Sequence, residues 1–263
     1  MTKVERQMDQ LYSVLKKSKQ LSLSESMELL QVSESTIRRL FIALEKKGVA
    51  IRKYGAIQLS PTPSTIEYSY DLLSSHNAEK KEVIGVQAAS LISNDDILFL
   101  DSGTTAFQVC CSLEKRLAKG SLRNISVFTN SLVNLNILNS YSTVNLIGGE
   151  YRKNRKDFCG YLSEEMLNRL HFTKCFLGCD GYQISNGFCA TDFHTARINE
   201  IALKNSDMRY IVMDCSKFLV SSVVSFSKGI PVNAIITDDL PTNSILLEHF
   251  NEQKIKIIIA GLR

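Results

Sequence analysis

The sequence predicts an α/β protein in two unequal parts: a small helical unit closed by a β-hairpin, then a larger unit built on a mostly parallel sheet between helical layers. Three observations carry this expectation. Amphipathic helical spacing over the first 48 residues gives way to two short alternating strands; seven short apolar runs recur between helical patterns after residue 95; and the basic excess is confined to the first part. Residues 1–60 hold 11 Lys and Arg against 6 Asp and Glu, whereas the rest of the chain is close to neutral within a net charge of +4. A length of 263 residues suits two domains, expected at 1–60 and 77–263 with 61–76 as linker.

In chain order, the stretch from Val4 to Lys17 supplies Met8, Leu11, Tyr12 and Leu15 as one apolar face of a packing helix. Leu21 to Gln31 follows a capping signal, Ser22 with Glu25 three residues on, and carries Met27, Leu29 and Leu30 as anchors. From Val32 to Gly48 the pattern is sharper. Ile37, Leu40, Phe41 and Leu44 fall at i, i+3, i+4 and i+7, so a helix here buries one stripe and turns Ser35, Arg39 and Lys46 outward. Ser33 stands where an N-cap belongs, and Gly48 closes the helix after Lys46 and Lys47, whose charges suit its C-terminal dipole.

Two short helices joined through Gln31-Val32-Ser33 form a helix-turn-helix, whose second helix enters the DNA major groove. Val49 to Arg52 and Ala56 to Leu59 then alternate around Lys53-Tyr54-Gly55, a hairpin that serves as a wing and sets Arg52 and Lys53 near phosphates. An Arg38-Arg39 pair alone would suit a solvated face of an ordinary bundle. Helix, turn, helix and wing in this order favour double-stranded DNA as partner, and the local basic excess is the footprint of such a module.

Ser60-Pro61-Thr62-Pro63-Ser64 breaks the pattern, because its prolines remove donors and bias their predecessors away from helix. A helical stretch follows from Asn77, a capping residue type, to Ile92. The apolar runs Ile97–Leu100, Ser126–Thr129, Val144–Ile147, Cys175–Gly178, Tyr210–Met213, Ala234–Thr237 and Lys256–Ala260 lack polar alternation. They read as strands covered on both faces, joined by right-handed crossovers.

Ligands of such sheets sit beyond the carboxyl ends of the strands. Asp101-Ser102-Gly103-Thr104-Thr105 places a carboxylate, a glycine that permits close approach and two hydroxyls at a helix start, an anion cradle that is neither a Walker A loop nor a Gly-x-Gly-x-x-Gly fingerprint. Thr129-Asn130-Ser131 repeats the theme. Gly148-Gly149 leaves room for a ligand or makes a simple turn. Asp180 ends another run, and Lys217 offers a point charge for phosphate at the same edge. The residues thus point to a small anion with hydroxyls, Asp101 and Asp180 being able to accept from the latter. His194 is either structural or an acid-base group. Arg152, Lys153, Arg155 and Lys156 are expected to form a solvated loop from which one side chain reaches the anion.

No N-terminal apolar core and no run near 20 apolar residues appears, so neither export nor membrane embedding is expected, and the cytoplasm is the expected location. Seven cysteines (110, 111, 159, 175, 179, 189, 215) lack any Cys-x-x-Cys pairing, which argues against zinc and against a disulfide framework; most are expected as buried thiols. No metal or other cofactor is indicated.

Over nearly its whole length the chain resembles DeoR-type transcriptional regulators. Val32-Ser33 with Thr36-Ile37-Arg38-Arg39 is similar to the family's recognition-helix signature. Asp101-x-Gly103-Thr104-Thr105, Thr129-Asn130-Ser131, Gly148-Gly149 and Asp214-x-Ser216-Lys217-Phe218 are similar to its sensor signatures, in family order. The resemblance implies a winged helix-turn-helix followed by a sensor domain similar to ribose-5-phosphate isomerase and glucosamine-6-phosphate deaminase folds. It further implies a phosphorylated sugar effector held by Asp101, Ser102, Gly103, Thr104, Thr105, Thr129, Asn130, Ser131, Gly148, Gly149, Asp180 and Lys217. DNA contacts are expected from Ser33, Ser35, Thr36, Arg38, Arg39, Lys46, Arg52 and Lys53, in a homodimer or larger assembly acting as a repressor of carbohydrate genes. Leu40-Phe41 stands where the family usually has Asp-Leu, and Tyr54-Gly55-Ala56-Ile57 where it has His-Gly-Gly-Ala. The alternatives are a sugar-phosphate isomerase or deaminase with an accessory N-terminal domain, and a protein-binding module that has lost DNA affinity.

Overall fold

A computed structural model describes residues 3–18, 20–46, 50–59, 69–241 and 243–261. Lys47, Gly48, the Lys46 side chain and the proline pair Pro61 and Pro63 lie outside the described residues. The chain divides into two compact units, residues 1–66 and 67–263.

The first unit runs α1 (Lys3–Ser18), β1 (Gln20–Ser22), α2 (Leu23–Leu30), α3 (Glu34–Lys46), β2 (Ala50–Lys53) and β3 (Ala56–Leu59). Leu11 and Leu15 of α1 meet Ile37, Leu40, Phe41 and Leu44 of α3 in one core, none of the six more than 4% exposed. Leu40 therefore belongs to packing, which accounts for an apolar residue where the related pattern has an acid. The capping box forms as spaced: Glu25 N–H donates to Ser22 Oγ at 3.2 Å and Ser22 N–H to Glu25 Oε2 at 2.6 Å. Gln31, left-handed at φ 51°, ends α2 by returning its N–H to Met27 O at 2.9 Å. The hairpin β2–β3 is joined by β1, which pairs antiparallel with β3 and sets Leu21 opposite Ile57. A three-residue strand is too short to show alternation, so only the tertiary pairing reveals it.

The second unit opens with α4 (Tyr70–Ser75) and α5 (Ala78–Ser90). The helix α4 lies within the span expected as linker and belongs to this unit, its Tyr70 being buried with its N–H on Asn154 O at 2.9 Å. Asn77 does not cap α5 through its side chain; it is left-handed, and its Nδ2 reaches Asp214 Oδ1 at 3.2 Å. There follow β4 (Ile97–Leu100), α6 (Thr104–Ala118), β5 (Ser126–Thr129), α7 (Leu132–Leu138), β6 (Thr143–Leu146), β7 (Glu150–Arg152), β8 (Asp157–Cys159), α8 (Tyr161–Asn168) and β9 (Phe172–Leu177). The chain continues through β10 (Gly181–Gln183), β11 (Gly187–Ala190), α9 (Phe193–Lys204), β12 (Ser206–Val212), β13 (Val224–Ser225), β14 (Ala234–Thr237), α10 (Ser244–Glu252) and β15 (Lys256–Ile259).

All seven apolar runs become strands of one wholly parallel sheet, ordered β15-β14-β12-β9-β4-β5-β6. Leu98 and Leu100 point into a core with Val109 and Leu113 of α6, while Phe99 between them points into the opposite core with Ile198 and Ile201 of α9. Both faces are thus covered, which is why the strands lack alternation. The strand β9 starts earlier than its apolar run because Thr173 and Lys174 at its polar end are held by Asp96, with Lys174 Nζ at 2.5 Å. The chain enters the sheet at β4, builds β5 and β6 on one side, then crosses to build β9, β12, β14 and β15 on the other. Strand order therefore reverses between β4 and β9, where the connections leave in opposite directions and open a crevice. The antiparallel pair β7–β8 and the ribbon β10-β11-β13, unforeseen in sequence, are added at the carboxyl edge. Among the described residues no helix is long and apolar enough to cross a membrane, and no group of three or more His, Cys, Asp or Glu is placed to hold a metal.

Candidate functional site

On the first unit, the stripe of α3 opposite the core is exposed at Ser35, Arg38, Arg39 and Ile42, with Thr36 half-buried. Ser33 holds the helix start by accepting from Thr36 and Ile37 N–H through its carbonyl, while its hydroxyl meets Ser35 Oγ at 3.0 Å and Thr36 Oγ1 at 3.1 Å. The two arginines differ. Arg38 pairs with Glu34 one turn back at 2.7 Å, whereas Arg39 has no ion-pair partner among the described residues. Arg52 of β2 is tied to Glu45 of α3, Nε to Oε2 at 2.6 Å, and the Arg52 N–H reaches Oε1 at 3.1 Å. Those bonds, the backbone one foremost, hold the Glu45 carboxyl below its usual range. The wing is thereby fixed to the helix, and Arg52 carries less free charge than the sequence suggests. Lys53 and Tyr54 at the turn are exposed. Ile42, absent from the expected set, is an apolar residue on the same stripe, 37% exposed.

On the second unit, a cavity lies at the β4–β9 reversal. Asp101 and Gly103 follow β4; Gly178, Cys179 and Asp180 follow β9; Thr104 and Thr105 begin α6; and Asp214 and Lys217 follow β12. Asp101 is 3% exposed and accepts from Gly178 N–H at 3.0 Å. Burial pushes its carboxyl up to about 6, against the N–H groups of Gly178, Ser102 and Gly103, which favour the anion. A Cβ on Gly103 would stand 3.0 Å from Asp101 Oδ2 and one on Gly178 3.2 Å, so both glycines are needed for backbone to approach that carboxylate. Gly103 caps α6 without a side-chain bond, and Thr104 and Thr105 of its first turn line the cavity. Asp180 accepts from Thr191 N–H at 2.9 Å.

Several lining residues come from places no strand-end pattern marks, among them His76, Lys81 of α5, Arg155 of the β7–β8 loop and Asn199 of α9. Lys81 is 5% exposed and donates from Nζ to Leu73 O at 2.6 Å. Burial pushes its ammonium down to about 8, with Asp214 opposing and Lys217 adding repulsion. A lysine on the second turn of a helix is an ordinary solvated residue by sequence, and only the sheet's crossover turns it inward.

Five expected residues, Thr129, Asn130, Ser131, Gly148 and Gly149, do not line the cavity. Thr129 is fully buried beneath it: its Oγ1 donates to Leu100 O at 2.6 Å and accepts from Ser131 N–H and Asn134 Nδ2, both at 3.1 Å. Asn134 Nδ2 also reaches Asp101 O at 3.0 Å. Asn130 and Ser131 are occupied with Phe158 O and Asn134 N–H. This triplet braces the cradle from behind. Gly149 is a packing glycine at φ +153°, whose Cβ would collide with Ser163 Oγ and Cys159 O, and Ser163 Oγ donates to Gly148 O at 2.7 Å. Ser102 lines the wall, its hydroxyl on Asp157 at 2.9 Å.

Nor is the basic loop simply solvated. Arg152 spans buried Asp157 at 2.7 Å and Asp192 at 2.9 Å; Arg155 pairs with Asp192 at 2.8 Å; Lys156 pairs with Asp71 at 2.6 Å. Only Arg155 of the four lines the cavity. His194 is exposed and outside it, and Glu200 is held by Arg197 and Lys204. All seven cysteines are free thiols, and burial pushes Cys175 up to about 11.

Residues 7–62 match the DeoR-like helix-turn-helix domain, and residues 76–239 match the DeoR C terminal sensor domain. The chain is 30% identical over 249 residues to the lactose phosphotransferase system repressor of Lactococcus lactis subsp. lactis, covering 94% of each protein. It is 25% identical over 242 residues to the HTH-type transcriptional regulator IolR of Bacillus subtilis (strain 168), covering 91% of this chain and 93% of that one. Among solved structures, ribose 5-phosphate isomerase a from Methanocaldococcus jannaschii is similar at a TM-score of 0.42 and 15% identity, over 54% of this chain and 55% of that one, a likeness too distant to carry an argument about activity.

Proposed function

The chain belongs to the DeoR family, and we propose that it is a regulator in which a phosphorylated sugar held at the β4–β9 crevice controls binding of the first unit to operator DNA. It is a DNA-binding transcriptional regulator of carbohydrate metabolism genes. Relatives are named as repressors, and repression is the expected sign here. A protein that acts on DNA and carries no membrane-spanning helix among its described residues fits a cytoplasmic location.

One observation carries the effector reading: a helix start free of a side-chain cap and the cations Lys81, Arg155 and Lys217 border the same cavity as three carboxylates, Asp101, Asp180 and Asp214. Phosphate suits the first group, since first-turn N–H groups and fixed cations converge on an anion. Hydroxyls suit the second, since carboxylates accept. On the first unit, α3 enters the major groove with Ser35, Thr36 and Arg39 at base edges, Ile42 meets a thymine methyl, and Ser33, Arg38, Lys46, Arg52 and Lys53 track phosphates. A homodimer or larger assembly couples the two, because an effector that binds one arrangement more tightly shifts the spacing of paired recognition helices.

The enzyme alternative needs a positioned acid and base beside a substrate. Of the groups that could serve so, Asp101, Asp180, His194 and Glu200, the first two line the cavity, whereas His194 is exposed and Glu200 ion-paired, both outside it. The test is fluorescence anisotropy on DNA from upstream of the protein's own gene, at fixed salt, with and without a panel of sugar phosphates. Specific binding shifted by one of them is the expected outcome. Absence of specific binding with every ligand, or sustained turnover of a sugar phosphate, overturns the reading.

A further inference from the structure

Asn199 is fully buried on α9, whose other inward residues, Ala196, Ile198, Ile201, Ala202 and Leu203, are all apolar. Apolar packing alone gives no reason for an amide in that row. Its Nδ2 donates to Gly178 O at 3.3 Å, while its Oδ1 has no hydrogen-bond partner among the described residues, and Asn199 is one of the residues lining the cavity. The amide orientation is fixed chemically, because the opposite flip would set Oδ1 against the Gly178 carbonyl oxygen. A buried acceptor without a donor destabilises the fold; Asn130 Oδ1, Asn134 Oδ1 and Thr237 Oγ1 share that condition, but of these residues Asn199 is the one in the cavity lining, where a ligand's donor can satisfy it. Gly178 also gives its N–H to Asp101, so one residue holds Asp101 and Asn199 on either side of itself.

We propose that Asn199 is the specificity residue of the cavity, its Oδ1 accepting a hydroxyl hydrogen from the sugar portion of a phosphorylated ligand whose phosphate sits at the cationic end. The inference rests on the effector reading above. It makes the ligand a phosphate ester of a polyol and disfavours ligands that present a carboxylate or carbonyl oxygen to α9, since two acceptors cannot bond. Asn199 thus tells a sugar phosphate from free phosphate, which the cations alone cannot do.

The experiment is calorimetric titration of the full chain and of Asn199→Leu with inorganic phosphate, glycerol 3-phosphate, ribose 5-phosphate and glucose 6-phosphate, with Asn199→Ala as a second variant that adds no bulk. Wild type is expected to bind at least one ester about tenfold or more tightly than inorganic phosphate, and both variants to lose most of that gain while binding inorganic phosphate as wild type does. An unchanged gain in either folded variant overturns the role of Asn199. Phosphate binding with no gain from any ester overturns the hydroxyl contact yet leaves the anion site standing. No response to any of the four overturns the effector reading itself.

Discussion

The Gly178 N–H donates to the Asp101 carboxylate at 3.0 Å, so the end of β9 is tied to the end of β4 at the one place where the strand order reverses. The carboxylate is held by backbone donors but kept from water, and the two effects oppose each other. Its charge state is therefore a lever on both stability and binding.

Asp101 titrates near 6 in the folded protein, above its ordinary 3.8, so the folded state holds the extra proton between those values. Stability falls as pH rises through that window, by something on the order of 3 kcal/mol. Asp101→Asn should therefore be more stable than wild type above pH 6 and close to it near pH 4, as read by thermal melts across pH 4 to 8. A constant difference over that range would contradict the buried-acid account.

Lys81 is an ammonium pushed down to about 8 and faced by Asp214, Lys217 and His76. Burial holds the His76 imidazole below its ordinary range, so it stays neutral above pH 7.5. Affinity for inorganic phosphate should hold near pH 7.5 and drop as pH rises past 8, because the cation is lost. Lys81→Met should bind more weakly throughout and show no such slope; the same slope in both proteins would place the titrating group elsewhere.

Thr129 braces the cradle from behind and is not part of the cavity lining, whereas Thr104 is. Thr129→Val keeps the shape but strands the Ser131 N–H and one Asn134 donor, and should cost about 1–3 kcal/mol in denaturant titration. Thr104→Asp places an anion where phosphate is proposed, and should abolish the effector response while leaving operator affinity intact. A normal response from Thr104→Asp would move the pocket.

On DNA, Arg39→Ala should weaken specific binding by about 1–3 kcal/mol if it meets a base, while Lys53→Ala should lower the salt slope by roughly one ion. Arg52→Ala should change the slope less than Lys53→Ala does, because Glu45 already offsets the Arg52 charge at 2.6 Å. Anisotropy at several salt concentrations measures all three, and equal affinities for wild type and variants would refute the recognition-helix assignment.

The first unit was the more legible half. Its helices are local amphipathic patterns with local caps, and Ile37, Leu40, Phe41 and Leu44 are buried as their spacing requires. The Arg52–Glu45 pair was hidden because it joins residues seven apart across a helix end and a strand. In the larger unit the Asp101 to Thr105 turn and Lys217 were legible as strand-end chemistry. Thr129-Asn130-Ser131 carries the same residue types and faces inward, since hydroxyl and amide groups bind a backbone turn as readily as a ligand.

Sequence by itself determined the elements: a winged helix-turn-helix, seven doubly covered strands and the glycine-hydroxyl turn after the first of them, all legible from periodicity and from residues adjacent in the chain. Only the tertiary structure decided which strand ends meet. Parallel order arises from crossovers that span tens of residues, and apolar strands show that they are buried without showing beside whom. That order alone places β9 next to β4, and with it brings Lys81 from α5, Arg155 from a loop and Asn199 from α9 to the wall of one cavity.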